Sequence, residues 1–167
     1  MRIVKMAAVG AMAVTMMATG LIRAQGATVL KSEDMQKLLP ASVYYRGQPA
    51  VTQVRNSGGV KFADGYYVLA TLVDTTGYST AVAAKYQAYF IAEVPITVGG
   101  KKLGAGVYGA GFVEGKFVIT DVGAHDLLSV PSSENPALQR PMPLQVVADP
   151  KEGFRLYAGR KFVSFSR

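Results

Sequence analysis

The sequence contains no cysteine, no tryptophan and a single histidine among 167 residues. Without cysteine there is no disulfide to staple the fold, no thiolate nucleophile and no attachment point for a lipid on sulfur, so stability has to come from a packed core. A metal site would have at most one nitrogen ligand, His125, flanked by the carboxylates of Asp121 and Asp126. Zinc sites usually recruit several His or Cys, and no oxygen-rich calcium loop of the D-x-D-x-D-G type is present. Runs of one charge are also missing. Lys101-Lys102 and Arg160-Lys161 are only pairs, too short for the basic stretches that mark nucleic-acid binding. No nucleic-acid partner and no cofactor are therefore expected.

One apolar run stands out, from Met6 to about Leu21, preceded by Arg2 and Lys5. It is shorter than the roughly 20 residues needed to cross a bilayer. A charged start, an apolar middle and small residues at Ala24 and Gly26 have the build of a secretory signal peptide, with Ala18 and Gly20 as an earlier cleavage alternative. Residues 1–26 are read as this leader, residues 27–167 as one β domain, and the only membrane contact expected is the transient one made by the leader. Cleavage removes three positive charges from the formal +7. About 140 residues remain, enough to bury roughly two-thirds of the unfolded surface.

Along the mature chain the only strong helix signal is LKSEDMQKLLP. Ser32 suits an N-cap, Glu33 and Asp34 suit the positive end of the helix dipole, and Pro40 ends the run. From Val43 the pattern changes to period two. The segments SVYYR, PAVTQVR, GVKF and GYYVLATLVD are punctuated by Gly-Gln-Pro, Asn-Ser-Gly-Gly and Ala-Asp-Gly, which read as turns. Residues 84–94 read as a strand, with Ala84, Tyr86, Ala88, Phe90, Ala92 and Val94 on one face; a helix would leave no polar stripe. GVYGAGFV, a two-residue Glu114-Gly115 connection and KFVITDV form a hairpin. PLQVVAD and FRLYAGRKFVSFSR add another after a proline-interrupted loop. The expected fold is all-β, an antiparallel sandwich or small barrel of about eight strands with one short N-terminal helix.

The stretch GAGVYGAG contains a literal G-x-G-x-x-G at residues 104–109. A dinucleotide fingerprint needs a helix after its glycines to meet the pyrophosphate, whereas a hairpin follows here. The glycines therefore read as turn and strand positions: Gly99-Gly100 and Gly106 with positive φ, and Gly109 and Gly111 where a bulky neighbour lies against the backbone. The run Val98-Gly99-Gly100-Lys101-Lys102-Leu103-Gly104-Ala105-Gly106-Val107-Tyr108 resembles the V-G-G-x-x-L-x-A-G-x-Y hairpin of small exported bacterial β-domains of unknown function, with Gly104 where those often carry Pro. The resemblance, confined to about residues 95–122, implies an extracytoplasmic β-sandwich and carries over no catalytic residue.

Gly77-Tyr78-Ser79-Thr80-Ala81 approximates a G-x-S-x-G nucleophile elbow, and Asp121 and His125 follow in the triad order. The elbow needs a helix directly after its serine, where the sequence reads as strand, and its last glycine is missing. Nine tyrosines remain, of which Tyr44-Tyr45 and Tyr66-Tyr67 put one ring on each face of a strand. The reading is an exported, non-enzymatic β-domain that acts by binding or assembly on a protein, a glycan or a small apolar ligand, with Tyr108, Gly109, Gly111 and His125 as candidate ligand contacts. Two alternatives stay open: a small hydrolase or metal-assisted enzyme using His125 with Asp121 or Asp126, and a lipid or small-ligand carrier. Intact mass of the exported protein is expected to show loss of residues 1–26; a full-length chain held in the inner membrane would overturn the leader assignment.

Overall fold

The computed structural model describes residues 26–167. The leader assigned to residues 1–26 lies outside the described residues except for Gly26. In chain order the elements are β1 (Thr28–Leu30), α1 (Ser32–Met35), β2 (Ser42–Tyr45), β3 (Gln48–Lys61), β4 (Tyr67–Val73), α2 (Thr80–Lys85), β5 (Ala88–Ala92), β6 (Ile96–Val98) and β7 (Lys101–Leu103). There follow β8 (Gly106–Val113), β9 (Lys116–Thr120), β10 (Asp126–Pro131), β11 (Ser133–Glu134), β12 (Met142–Asp149), β13 (Gly153–Gly159) and β14 (Lys161–Ser166).

These strands make an all-β sandwich of two antiparallel sheets. The first runs β1-β3-β4-β5-β8-β9-β10, with β2 on the same edge of β3 as β1. The second runs β12-β13-β14-β6-β7, with β11 also paired to β14. Period-two alternation puts Val68, Ala70, Phe90, Ala110 and Ile119 of the first sheet and Leu144, Leu156, Val163 and Phe165 of the second into one shared core. Burying such a side chain contributes on the order of 1.5–3 kcal/mol, so this interface supplies the stability of a chain that has no disulfide.

Several hairpins form where the turn chemistry placed them. Glu114 and Gly115 both have positive φ, 48° and 74°, in the two-residue connection between β8 and β9. The first turn lies at Arg46-Gly47, one residue before the expected Gly-Gln-Pro, because Gln48 and Pro49 already pair with β2. Asn-Ser-Gly-Gly is not a turn. Residues 56–59 lie inside the 14-residue β3, whose register against β4 shifts between Gln53 and Ser57. Such a bulge bends a strand without ending it, and here a Cβ on Gly58 would come within 2.9 Å of the Val146 nitrogen of β12. The glycines thus admit the second sheet's edge and do not reverse the chain. This merger removes one strand, but the short β1, β6, β7 and β11 raise the total among the described residues to 14, above the eight expected.

Helix α1 starts at Ser32, and the capping role expected of Ser32 is taken by Asp34, whose carboxylate accepts the Lys31 N–H at 2.9 Å. Its Met35, with Leu39 just beyond, seals Leu30 and Leu69 on the outer face of the first sheet. Residues 84–94 need a correction. The strand is confined to Ala88–Ala92, buried at Ala88, Phe90 and Ala92 as the alternation required, but Ala84 and Lys85 close a second helix, α2. Ser79 caps it by accepting the Val82 N–H. Tertiary contact decides the outcome against local alternation: the Gln87 amide accepts the Phe112 N–H at 3.1 Å and donates to the Phe112 carbonyl at 3.2 Å. A side chain thereby extends the β5–β8 ladder and ties down the end of α2. Gln87→Leu is expected to cost about 1–3 kcal/mol by leaving that backbone pair unsatisfied, read as a lowered urea midpoint; an unchanged midpoint would show that the amide is replaceable by solvent.

Candidate binding sites

The four residues singled out in the sequence do not share one open site. Tyr108 points into the core at 9% exposure, and its hydroxyl donates to the Gly104 carbonyl at 2.9 Å. Gly106 lies beneath that ring, where a Cβ would meet the Tyr108 hydroxyl at 2.7 Å. The positive φ expected of Gly106 is absent, and the lack of a side chain there serves the ring above it. Gly99 and Gly100 do have positive φ, 53° and 82°, in the β6–β7 turn. Gly99, Gly100 and Gly106 each thus have a conformational or steric reason within the protein itself.

On the outer face of β8, Gly109 and Gly111 are both covered. A Cβ at Gly109 would fall 2.6 Å from the Tyr45 ring of β2, and one at Gly111 would fall 2.6 Å from the Lys85 carbonyl of α2. The bulky neighbour anticipated from sequence is thus an aromatic ring at one glycine and the end of a helix at the other. Tyr45 stacks on Tyr86 with ring centroids 3.6 Å apart, and Tyr78 meets both edge-on. The Tyr45 hydroxyl shares a 2.6 Å hydrogen bond with Thr120 Oγ1, and Tyr78 donates to the Tyr45 and Gln48 carbonyls. The Tyr86 hydroxyl is buried with no hydrogen-bond partner among the described residues. The tyrosine pair Tyr44-Tyr45 splits as read, Tyr44 being 69% exposed and Tyr45 1%.

His125 stands at the surface in the β9–β10 turn. Its Nδ1 lies 2.9 Å from Asp121 Oδ2. The Asp121 carboxyl is held below its usual range by the His125 backbone N–H first and the imidazole second. Asp126 faces away and pairs with Lys85 at 2.8 Å. A helix does follow Ser79, contrary to the sequence reading, yet the Ser79 hydroxyl is engaged as the cap of α2, and none of the hydrogen bonds among the described residues joins it to His125. No cluster of three or more potential metal ligands occurs among the described residues.

A groove that sequence reading did not single out opens on the outer face of the second sheet. Its floor is β14 with the adjacent Arg155 and Thr97, and its walls are the Gly99-Gly100 turn, Pro131 with Ser133, and Glu152 from the β12–β13 turn; its volume is about 510 Å³. Alternation places Ser164 and Ser166 outward between the core residues Val163 and Phe165. The Arg155 guanidinium pairs with Asp149, whose side chain is 5% exposed, and lies 4.5 Å from the centre of the Phe162 ring. Tyr157 first, and then the charge of Asp149, push the Arg155 guanidinium further above its ordinary range. Ser164 donates to Glu152. The signal available in the sequence was the outward set Arg155, Phe162, Ser164 and Ser166 on two consecutive strands. What it lacked was Thr97, brought alongside from far earlier in the chain by the pairing of β6 with β14.

No protein-family model matches the chain, and no curated protein or solved structure is significantly similar to it.

Burial raises the hydroxyls of Tyr45, Tyr78, Tyr86, Tyr89 and Tyr108 above the ordinary phenol value of 10.0, Tyr86 the furthest. The fold favours their neutral form, so this stability is complete below pH 10 and is lost as pH rises and the unfolded chain ionises first. Tyr86→Phe is expected to make the alkaline fall in the urea midpoint shallower. At neutral pH it should leave stability equal or raise it by about 1 kcal/mol, because it removes an unpaired buried hydroxyl. A loss at neutral pH would mean that the hydroxyl is satisfied.

Proposed function

We propose that the chain is an exported, non-enzymatic β-domain that acts by binding at the periplasm or cell surface, and that the groove on the second sheet is its binding face. Export is supported by the leader-like residues 1–26 and by the hairpin resemblance. The observation that carries the binding face is the convergence of Thr97, Glu152, Arg155 and Ser164 around one open concavity on a rigid sheet. Ligand sites are typically concave, with a few polar groups held by a rigid scaffold. The tyrosine cluster, by contrast, spends its rings on one another and on Gly109. A hydrolase built on His125 would have Asp121 as its orienting partner, but the one serine in the elbow-like motif is committed to capping α2. A carrier would need an apolar interior, whereas the space between the sheets is filled by the shared core.

The test is co-sedimentation of the purified protein with a cell-envelope preparation, comparing the wild type with Thr97→Trp, which places a large ring over the groove from an outward position. The wild type is expected in the pellet, and the variant is expected to lose most of that association with an unchanged thermal melt. Equal sedimentation of the two would exclude the groove as the binding face. Recovery of the wild type in the cytoplasmic fraction of expressing cells would overturn export.

A further inference from the structure

Resting on the reading of the groove as a binding face, we propose that its ligand is a neutral carbohydrate. Four of the lining side chains carry a hydroxyl: Thr97, Ser133, Ser164 and Ser166. Each hydroxyl both donates and accepts, as each sugar hydroxyl does. Among them stand a carboxylate and a guanidinium, Glu152 and Arg155, planar groups of opposite hydrogen-bonding sense. Glu152 already accepts from Ser164, so a hydroxyl is the kind of donor its carboxylate takes. The wall at Gly100 is low, since nothing lies within 4 Å of where its Cβ would be. The volume of about 510 Å³ falls within the roughly 300–1,000 Å³ of small-molecule sites.

Charge and backbone pairing exclude the other ligand classes. The positive charge of Arg155 is taken up by Asp149, and Glu152 adds a negative one, so the groove offers no net attraction to a phosphate, a sulfate or a uronate. A peptide recognised by strand addition needs a free sheet edge. The groove floor is an interior strand, with β14 paired to β13 on one side and to β11 and β6 on the other, and the Ser164 carbonyl between those two takes the Gly99 N–H at 2.8 Å. A lipid chain would have to displace water from four hydroxyls and two charges with nothing to replace their hydrogen bonds.

The experiment is a titration of the isotopically labelled protein, followed by amide chemical shifts, with cellotriose and chitotriose as neutral saccharides, trigalacturonate as the charged counterpart and trialanine as the peptide. At least one neutral trisaccharide is expected to shift the amides of Thr97, Phe162, Ser164 and Ser166 saturably. Glu152→Ala is expected to weaken that binding by about tenfold or more, while Glu33→Ala on α1 leaves it unchanged. Saturable shifts at these amides with trigalacturonate or trialanine alone would overturn the neutral saccharide and leave the groove as a binding face. Shifts confined to other surfaces, a Glu152→Ala affinity equal to the wild type, or no saturable shift with either neutral saccharide would overturn the inference. Failure of the wider reading is seen separately, in a Thr97→Trp protein that sediments with envelopes like the wild type.

Discussion

The close approach at Gly109 and Gly111 is the constraint on which the outer face of the first sheet depends. A Cβ at either position would stand 2.6 Å from another group, nearer than packed atoms tolerate, and cores respond to such insertions with shifts costing about 1–3 kcal/mol. Because β8 offers bare backbone there, β2 can lay Tyr45 flat against it and α2 can bring its final carbonyls down onto it. Those two elements then hold Tyr78, Tyr86 and Val82 between them. The Gln87 amide bond to Phe112 and the Tyr45–Thr120 hydrogen bond are possible only at that separation. Two missing side chains therefore organise a satellite core that the main sandwich does not contain.

The second sheet solves the opposite problem. Among the described residues no helix covers its outer face, so the residues there have to be stable in contact with water and still stay ordered. Arg155 shows how: its charge is balanced by Asp149, and its guanidinium lies over Phe162. Ion pairs at exposed positions contribute little on their own, but Asp149 is almost fully covered and also accepts the Lys151 N–H at 2.8 Å. That arrangement fixes the β12–β13 turn, and with it the position of Glu152 at the rim of the groove. The face thus combines rigidity with unspent hydrogen-bonding capacity, whereas the tyrosine cluster of the first sheet has rigidity alone.

Class of fold and much of the strand pattern were legible because period-two burial is a local property. Ala88, Phe90 and Ala92 fall inward as the alternation demands, and Glu114-Gly115 turns where its chemistry says. Asn56–Gly59 misled because glycines inside a strand and glycines in a turn look alike until the neighbouring sheet is known. The start of α2 was hidden for a related reason. Thr80–Lys85 is rich in alanine but only six residues long, too short to hold a helix alone, and its position is decided by Gly111 and Gln87, which lie outside it. His125 and Asp121 were correctly seen as neighbours across one turn of chain, a short-range relation. The groove was illegible because it joins Thr97 to Ser166 and Glu152 to Ser164, pairs made adjacent only by sheet topology.

The ladder that brings β1 beside the end of β3 has a further consequence. Gly26 packs against Ala63, and Arg167 reaches back to Asp64 while covering the Phe62 ring, so residues 26 and 167 both arrive at the turn that follows β3. A short linker could join them without crossing either sheet, and the chain could then be opened at an exposed tip such as Pro150-Lys151. Whatever precedes residue 26 in the cell leaves from this one corner, and a tag fused after residue 167 leaves from it too. The corner adjoins the Ser166 end of the groove. Fusions at either end therefore crowd the same entrance, and an appended partner is placed beside the face that would engage a ligand.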